Sequence, residues 1–333
     1  MKFDNKTSNI VIIILLIILG YLISIITDNI TSNLDKNIKC VTKNTKVIDA
    51  NIDHNQALDV YEYANKQGVK SPDILVNFDT HSDIYLNKKV INKNGARIED
   101  WINEYIAKNP NVHTVYWVMP KEAALDKTMQ KTFRTPIDTE IIDGFPLIGV
   151  SFKPASIAET LIPLTIKAFE RDYLINPTSG VLNEYYEENE LNDLLFDKNI
   201  KYKKVKIITC TENSLPDFKG ADVFVSIDAD YLSNSGYDTF EDFENNKDKK
   251  GIYKAYKSMF KTIRTKNMNP TIISMTISPQ YLPKDDHNQV IDLFEKVFII
   301  KKQKDVINSY TRHFTGDGKK SKLNDYKTKE DVQ

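Results

Sequence analysis

The sequence has few of the residues that mark several common classes of protein. Two cysteines occur among 333 residues, Cys40 and Cys210, which are too few for a disulfide framework and leave a single bridge open. Lys and Arg total 45 against 46 Asp and Glu, so the formal net charge is −1. No basic stripe with interleaved aromatic residues favours nucleic acid as a partner. The chain also lacks a glycine-rich phosphate loop and an internal repeat, and its length suits one α/β domain.

One long apolar run stands near the start of the chain. Residues 8–27 carry no charge and are mostly Ile, Leu and Val. About 20 such residues are needed for a helix to cross the hydrocarbon core of a bilayer. The run is longer than the apolar region of a signal peptide, and no small-residue cleavage site follows it. We therefore predict an uncleaved, single-pass membrane anchor over residues 1–30, with a cleaved signal peptide or a buried core helix as alternatives.

The charges that flank this run give a weak indication of its orientation. Lys2 and Lys6 precede the run, whereas Lys36 and Lys39 follow it after two aspartates. The positive-inside rule compares lysines and arginines near the two ends of a span. The balance is close, and we predict a short N-terminal segment inside and an extracytoplasmic catalytic domain.

The rest of the chain alternates between strand-like and helix-like segments, which predicts an α/β fold. Residues 31–45 are polar and form a predicted linker, residues 46–312 the domain, and residues 313–333 a disordered polar tail. Predicted strands are 46–50, 73–79, 112–118, 146–152, 204–209, 222–228 and 271–277, and predicted helices are 55–67, 97–107, 156–171, 250–264 and 285–299. The expected architecture is a three-layer α/β/α domain with a mainly parallel sheet.

Two of the predicted strands end in clusters of metal-ligand residues. The first ends in Asp79-Thr80-His81-Ser82-Asp83, and the second ends in Asp228-Ala229-Asp230. Side chains two residues apart on a strand point the same way, so each cluster can face one ion. The carboxyl ends of parallel strands meet at one edge of the sheet, where ligands bind. Four converging carboxylates would repel one another unless cations neutralised them.

Each cluster alone also has a structural interpretation. Aspartate is common just after a strand because it caps turns and helices. A further histidine, His54, lies where another predicted strand passes into a helix, and by itself it suits an exposed helix start equally well. The three elements together favour a shared metal site.

In the order of these residues, the chain resembles the arginase/deacetylase, or ureohydrolase, superfamily. It is most similar to the UPF0489 branch, which includes peptide arginases. Further similarities are Asp-His-x-x-Ala-Leu at 53–58, a tryptophan strand at 115–120, and Ser-Pro-Gln-Tyr-Leu-Pro at 278–283. The resemblance covers residues 46–300, and only the set of motifs is specific.

The resemblance implies a site for two metal ions. His54, Asp79, Asp83 and Asp228 would hold one ion, and Asp79, His81, Asp228 and Asp230 the other, with Asp79 and Asp228 as bridges. Two imidazoles among carboxylates suit two Mn²⁺ ions, although such sites also accept Zn²⁺ or Fe²⁺. Such a pair of ions activates a shared water as the nucleophile.

The chain departs from classical arginases at two places. After the second cluster, the pattern of those enzymes continues with Asp-Pro, whereas Tyr231-Leu232-Ser233-Asn234 follows here. No glutamate occurs at 271–283 to grip a guanidinium. These departures favour arginine within a peptide over free arginine as the substrate, with ornithine and urea as products. Alternatives are a one-metal deacylase of acylated amines, which usually carries a His-His pair absent here, or a membrane-tethered binding protein without turnover.

Several other residues have weaker claims to a role. His287 follows the 278–283 segment and is our candidate proton donor to the departing amine. His113 stands at the start of a predicted strand, the wrong end for the site, and His313 precedes the tail. Trp101 and Trp117 are interpreted as packing residues, and Cys210 as a buried, inert thiol.

Overall fold

The computed structural model describes residues 45–51, 53–86, 89–91, 100–121, 138–139, 167–185, 196–233, 249–278, 281–282 and 284–299. The strands are β1 Val47–Asn51, β2 Ile74–Phe78, β3 Tyr85–Leu86, β4 Thr114–Val118, β5 Asp138–Thr139, β6 Phe169–Ile175, β7 Leu182–Glu184, β8 Lys203–Cys210, β9 Asp222–Asp228 and β10 Asn269–Thr276. The helices are α1 Gln56–Lys66, α2 Trp101–Lys108, α3 Asp230–Ser233, α4 Lys249–Thr265 and α5 Lys284–Ile299, with a 3₁₀ turn at Glu212–Ser214.

The described strands form one large, mostly parallel sheet. Its order is β1-β10-β9-β2-β4-β8-β6-β7-β3-β5. The first six strands in this order are parallel neighbours. β6 runs antiparallel to β8 and to β7, whereas β3 pairs in parallel with β7 and β5. The parallel half therefore brings the carboxyl ends of β1, β10, β9 and β2 together at one edge.

Helices pack against both faces of this sheet. One core cluster joins the buried sides of α1 and α2 to strand residues such as Leu75 and Phe224. The other joins α4 and α5 to residues such as Val76 and Val225. Leu75 and Val76 are neighbours on one strand and enter opposite clusters, because successive strand side chains point to opposite faces. The protein is thus a mixed α/β structure, as the sequence predicts.

The helices follow from the spacing of their apolar residues. In α4, Ile252, Tyr256, Met259, Phe260 and Ile263 are all buried. They recur at intervals of three or four residues, which places them on one side of a helix with 3.6 residues per turn. Burial of this side against the sheet holds α4 in place, while Lys254, Ser258 and Lys261 lie at exposed positions between the buried residues.

Most predicted elements within the described residues are confirmed to within about two residues. The helix predicted at 156–171 is wrong at its end, because residues 169–171 belong to β6. There Phe169 is in register with Thr209 of β8, and the pairing of such distant residues overrides the local pattern. The predicted strand 146–152, most of the linker, the anchor and the tail lie outside the described residues.

Among the helices of the described residues, none has the length and apolar character needed to cross a membrane. The predicted anchor at residues 8–27 lies outside the described residues.

Candidate metal centre

The candidate site lies at the carboxyl ends of four neighbouring strands. Asp79 follows β2 directly, and Asp228 is the last residue of β9. His54 comes three residues after β1, and Ser278 two residues after β10. These strands are adjacent and parallel in the order β1-β10-β9-β2. The topology therefore assembles one site from residues that are more than 200 positions apart in the sequence.

The first group of ligand candidates surrounds one nitrogen of His54. Its Nδ1 atom lies 3.1 Å from Asp79 Oδ2, 2.7 Å from Asp83 Oδ2 and 3.1 Å from Asp228 Oδ2. All four side chains are buried. His54, Asp79 and Asp83 bring their ligand atoms close enough together to hold a metal ion.

The second group lies beside the first and shares a member with it. His81 Nδ1 is 2.8 Å from Asp230 Oδ2 and 3.9 Å from Asp79 Oδ1. Asp79, His81 and Asp230 form a second set that could hold a metal ion. The side chain of His81 is 38% exposed, whereas Asp79 and Asp230 are fully buried. This second group is therefore the side of the centre that faces solvent.

Asp79 belongs to both groups, through one carboxylate oxygen for each. Asp228 contacts a residue of each ligand group. Its Oδ2 lies 3.1 Å from His54 Nδ1 of the first group, and its Oδ1 accepts the backbone N–H of Asp230, of the second group, at 3.1 Å. These are the two residues for which the sequence suggests a bridging role. That role for Asp228 stays a prediction, since it belongs to neither of the two sets of three ligands.

The local reason for this convergence differs from the strand alternation expected from the sequence. β2 ends at Phe78, so His81 lies beyond the strand, and Asp230 begins the short helix α3. Backbone N–H groups that donate to the aspartates bring the side chains together instead. The N–H of His81 donates to Asp79 Oδ1 at 2.8 Å, and the N–H of Thr80 donates to Asp230 Oδ1 at 3.2 Å.

Both tryptophans hold ligands of the site, a role that the sequence reasoning missed. The Nε1–H of Trp101 donates to Asp83 Oδ2 at 2.7 Å, and that of Trp117 donates to the backbone carbonyl of Asp79 at 3.1 Å. The Trp101 ring also lies 5.1 Å from the ring of His54. Packing explains their burial, but the polar edge of each indole orients a ligand. No signal in the local sequence marks this role, because the contacts join distant segments.

Polar residues on the sheet support the ligands from below. His54 Nε2 lies 2.8 Å from Ser226 Oγ, and Asn77 Nδ2 donates to Asp79 Oδ2 at 3.0 Å. With a metal ion bound to Nδ1, Nε2 would carry the proton of the neutral imidazole and donate to Ser226 Oγ. Asn77 and Ser226 each come two residues before an aspartate of the site, on the same face of their strands. That spacing is a signal from which both could have been found.

Burial and mutual repulsion set the protonation of the buried carboxylates. Burial, together with the nearby Asp83, raises the pKa of Asp79 to about 6. Burial and the charges of Asp228 and Asp79 raise the pKa of Asp230 to about 7. For Asp228 burial acts in the same direction, but His54 and hydrogen bonds outweigh it and lower the pKa. The carboxylates thus compete for counter-charge within the centre.

The histidines supply part of that counter-charge. Burial opposes the charged form of both rings, yet the carboxylates dominate. Asp230 raises the pKa of His81 to about 10. Asp83, Asp228 and Asp79 raise the pKa of His54 well above its ordinary value. Without another cation, protons hold this cluster together, and divalent ions would replace them.

The remaining candidates lie in varied surroundings. His287 is in the first turn of α5, and its Nε2 lies 2.8 Å from the carbonyl oxygen of Leu282, which gives it a structural bond. The ring of Tyr281 lies 4.9 Å from the ring of His81, beside the exposed side of the centre. Tyr231 instead donates to Glu212 Oε1 at 2.7 Å within the core.

Three other expectations concern residues away from the centre. His113 precedes β4, at the opposite edge of the sheet from the site, and its Nδ1 lies 2.9 Å from Thr114 Oγ1. Cys210 is a buried free thiol whose Sγ lies 3.6 Å from the Trp117 carbonyl oxygen. The expected burial of Cys210 is confirmed, and burial raises the pKa of this thiol, which disfavours the reactive thiolate. Cys40 and His313 lie outside the described residues.

The donor set fits hard or borderline divalent ions. Four buried carboxylates and two imidazoles offer oxygen and nitrogen ligands without thiolates, a combination that suits Mn²⁺ and also accepts Zn²⁺ or Fe²⁺. No known family model matches the chain, and no curated protein matches it. The chemistry of the site is therefore inferred from its own residues and not from a matched relative.

Proposed function

We propose that this protein is a metal-dependent hydrolase of the arginase/deacetylase superfamily, within its peptide-arginase-like branch. The observation that carries the proposal is Asp79, a fully buried carboxylate that contributes one oxygen to each of two adjacent ligand groups. A buried carboxylate that is shared in this way suits a pair of cations. The parallel α/β sheet and the placement of the site at its carboxyl edge are compatible with this superfamily.

The proposed reaction is hydrolysis of a guanidino group. When bound, two Mn²⁺ ions would supply Lewis-acid activation of water near neutral pH. Water adds to the guanidino carbon, the bond from that carbon to the side-chain nitrogen breaks, and the products are ornithine and urea. Asp79 and Asp228 would orient the centre, and His54, His81, Asp83 and Asp230 would complete it. His287 stays the candidate from the sequence to protonate the departing amine, and its Nε2 lies 2.8 Å from the Leu282 carbonyl oxygen.

An arginine side chain within a peptide is the proposed substrate. His81 and Tyr281 form the exposed side of the centre, where a side chain could reach the buried carboxylates. Residues 271–283 hold no glutamate that would grip free arginine, and Ser278 contacts the centre through Asp228. A peptide backbone would bind outside the centre and supply the missing affinity.

The same missing glutamate favours one other reaction, the hydrolysis of an acylated amine. That reaction needs no residue to grip a guanidinium, but the usual deacylase has one ion and a His-His pair, which this sequence lacks. Two ligand groups that share Asp79 favour the guanidino reaction. A non-catalytic binding protein is the remaining alternative, and it predicts no turnover of either substrate.

The proposed location is a membrane, through the apolar stretch at residues 8–27. That stretch has the length of a bilayer-spanning helix and would tether the catalytic domain on the extracytoplasmic side. The polar residues between the stretch and β1 would act as the linker.

Urea release from arginine-containing peptides tests the proposed function. The full chain, loaded with Mn²⁺, should release urea and leave ornithine in the peptide, as seen by a mass decrease of the peptide. Asp79→Asn should abolish this release, because both ligand groups lose a carboxylate. His113→Asn, at the opposite edge of the sheet, is the matched control and should keep full activity. Hydrolysis of acetylated lysine peptides instead would establish the deacylase, and no turnover of either substrate would favour the binding protein.

A further inference from the structure

Ser278 combines three features that its position after β10 does not require. Its side chain is fully buried, and its backbone has a φ of 45°, in the left-handed region. Its hydroxyl lies 2.5 Å from Asp228 Oδ2. A residue with a side chain rarely adopts this backbone, because Cβ crowds the following carbonyl. Such strain persists where the surroundings determine it, and it is often found at functional sites.

The strained backbone is what aims the hydroxyl at the metal centre. Asp228 ends β9, and its register partner on β10 is Thr276, two residues before Ser278. The chain must therefore turn back after Ile277 for the Ser278 side chain to reach Asp228. The contact is a short, charge-assisted hydrogen bond to a carboxylate, which is stronger than a bond between neutral groups.

The backbone of Ser278 also reaches the second ligand group. Its carbonyl oxygen accepts the N–H of Tyr281 at 2.9 Å, which closes a tight turn. The Tyr281 ring then lies 4.9 Å from the ring of His81. The Ser278 hydroxyl thus contacts Asp228, beside the first ligand group. The Ser278 carbonyl fixes Tyr281, which packs on His81 of the second group.

We infer that Ser278 is a positioning residue that presents Asp228 to both metal ions and that its left-handed backbone is retained for this purpose. The Ser278 hydroxyl donates to Asp228 Oδ2 and restrains rotation of the carboxylate, which would keep its other lone pairs available to the ions. Loss of the hydroxyl frees the Asp228 carboxylate to rotate. This weakens most the binding of the Mn²⁺ ion that binds second in a titration. This inference rests on the proposed function in requiring that the centre bind two ions and that Asp228 bridge them.

Two substitutions separate the hydroxyl from the backbone strain. Ser278→Ala removes the hydroxyl and keeps the strain, whereas Ser278→Gly removes both, because glycine accepts positive φ without cost. Ser274→Ala is the matched control. Ser274 is equally buried on the same β10, and its hydroxyl accepts from Asn51 rather than binding a ligand. Affinity and stoichiometry for Mn²⁺ alone are measured by titration calorimetry on the full chain, with thermal melting of the metal-free protein alongside.

The expected result is a loss of affinity that does not follow stability. Ser278→Ala and Ser278→Gly should both bind the second Mn²⁺ about 10–100-fold more weakly, as is usual when a residue that supports a ligand is lost. The metal-free Ser278→Gly protein should melt at a higher temperature than Ser278→Ala. Ser274→Ala should keep the affinities of the unaltered protein.

Other outcomes overturn different parts of the account. Unchanged Mn²⁺ affinity in both Ser278 variants would refute the positioning role and leave the proposed function standing. An affinity that follows the melting temperature across the variants, including Ser274→Ala, would reduce Ser278 to a stability residue. If the unaltered protein binds no Mn²⁺, the proposed function fails first.

Discussion

At the scale of single residues, the ligands were easier to predict than the residues that hold them. His54, Asp79, His81, Asp83, Asp228 and Asp230 are chemically distinctive, and the structure brings all six together. Trp101 and Trp117 were interpreted as packing residues, because nothing in their local sequence shows that each indole N–H reaches an aspartate. Contacts between distant segments depend on the fold and are invisible in a window of sequence.

Replacing Trp101 with phenylalanine tests whether its polar edge matters apart from its bulk. Trp101→Phe keeps an aromatic ring in the core but leaves Asp83 Oδ2 without its indole donor. We expect Mn²⁺ affinity to fall about 10–100-fold, since residues that orient a metal ligand contribute on this scale. Tyr105→Phe is the control, because Tyr105 is equally buried on α2 and bonds Asn109 rather than a ligand. Equal losses of affinity in the two variants would argue against a specific role for the indole.

At the scale of elements, the parallel half of the sheet, from β1 to β8 in spatial order, was predictable, whereas the half formed by β6, β7, β3 and β5 was not. β1, β2, β4, β9 and β10 are apolar runs that end in turn or ligand residues, and β1, β9 and β10 are buried along most or all of their length. In contrast, β6 carries Glu170, Arg171 and Asp172, and its strand state depends on pairing with β8. The site needs only the parallel half, which is why its residues could be found without the correct complete sheet.

The turn between β6 and β7 depends on a glycine at Gly180. Its φ is 70°, and a Cβ at this position would clash with Val90 Cγ2, so Gly180→Ala brings both strain and a clash. Gly68 has a similar φ of 76° with open space around it, so Gly68→Ala brings strain alone. We expect a loss of about 1 kcal/mol in the free energy of unfolding for Gly68→Ala and about 2–4 kcal/mol for Gly180→Ala. Urea denaturation measures both, and equal losses would contradict the packing at Gly180.

At the scale of the whole molecule, the buried charges of the centre should link stability to pH and to metal. In the metal-free protein, Asp79 and Asp230 have raised pKa values of about 6 and about 7. The folded state therefore keeps protons that the unfolded chain releases, and stability falls as pH rises from about 4 to 7. His81, with a pKa of about 10, adds stability below its ordinary pKa that is lost as pH rises through the folded value. Asp228 has a lowered pKa and acts in the opposite direction at acidic pH.

The increase in melting temperature caused by Mn²⁺ should consequently grow with pH. Metal ligands must lose their protons before they bind. Mn²⁺ therefore stabilises the folded protein most at the pH values where the metal-free protein is least stable. We expect a larger increase at about pH 8 than at about pH 5.5, measured by scanning calorimetry with and without Mn²⁺. An increase that is equal at both pH values, or larger in acid, would show that the ions bind somewhere other than this cluster.

Metal content per chain tests the central claim most directly. The full chain, its Asp79→Asn variant and its Asp83→Asn variant are loaded with Mn²⁺, dialysed and analysed by mass spectrometry of the metal. The shared position of Asp79 predicts two ions in the unaltered protein, almost none in Asp79→Asn, and loss confined to one ion in Asp83→Asn. Fewer than two ions in the unaltered protein, or two ions retained in Asp79→Asn, would contradict a centre built around this carboxylate.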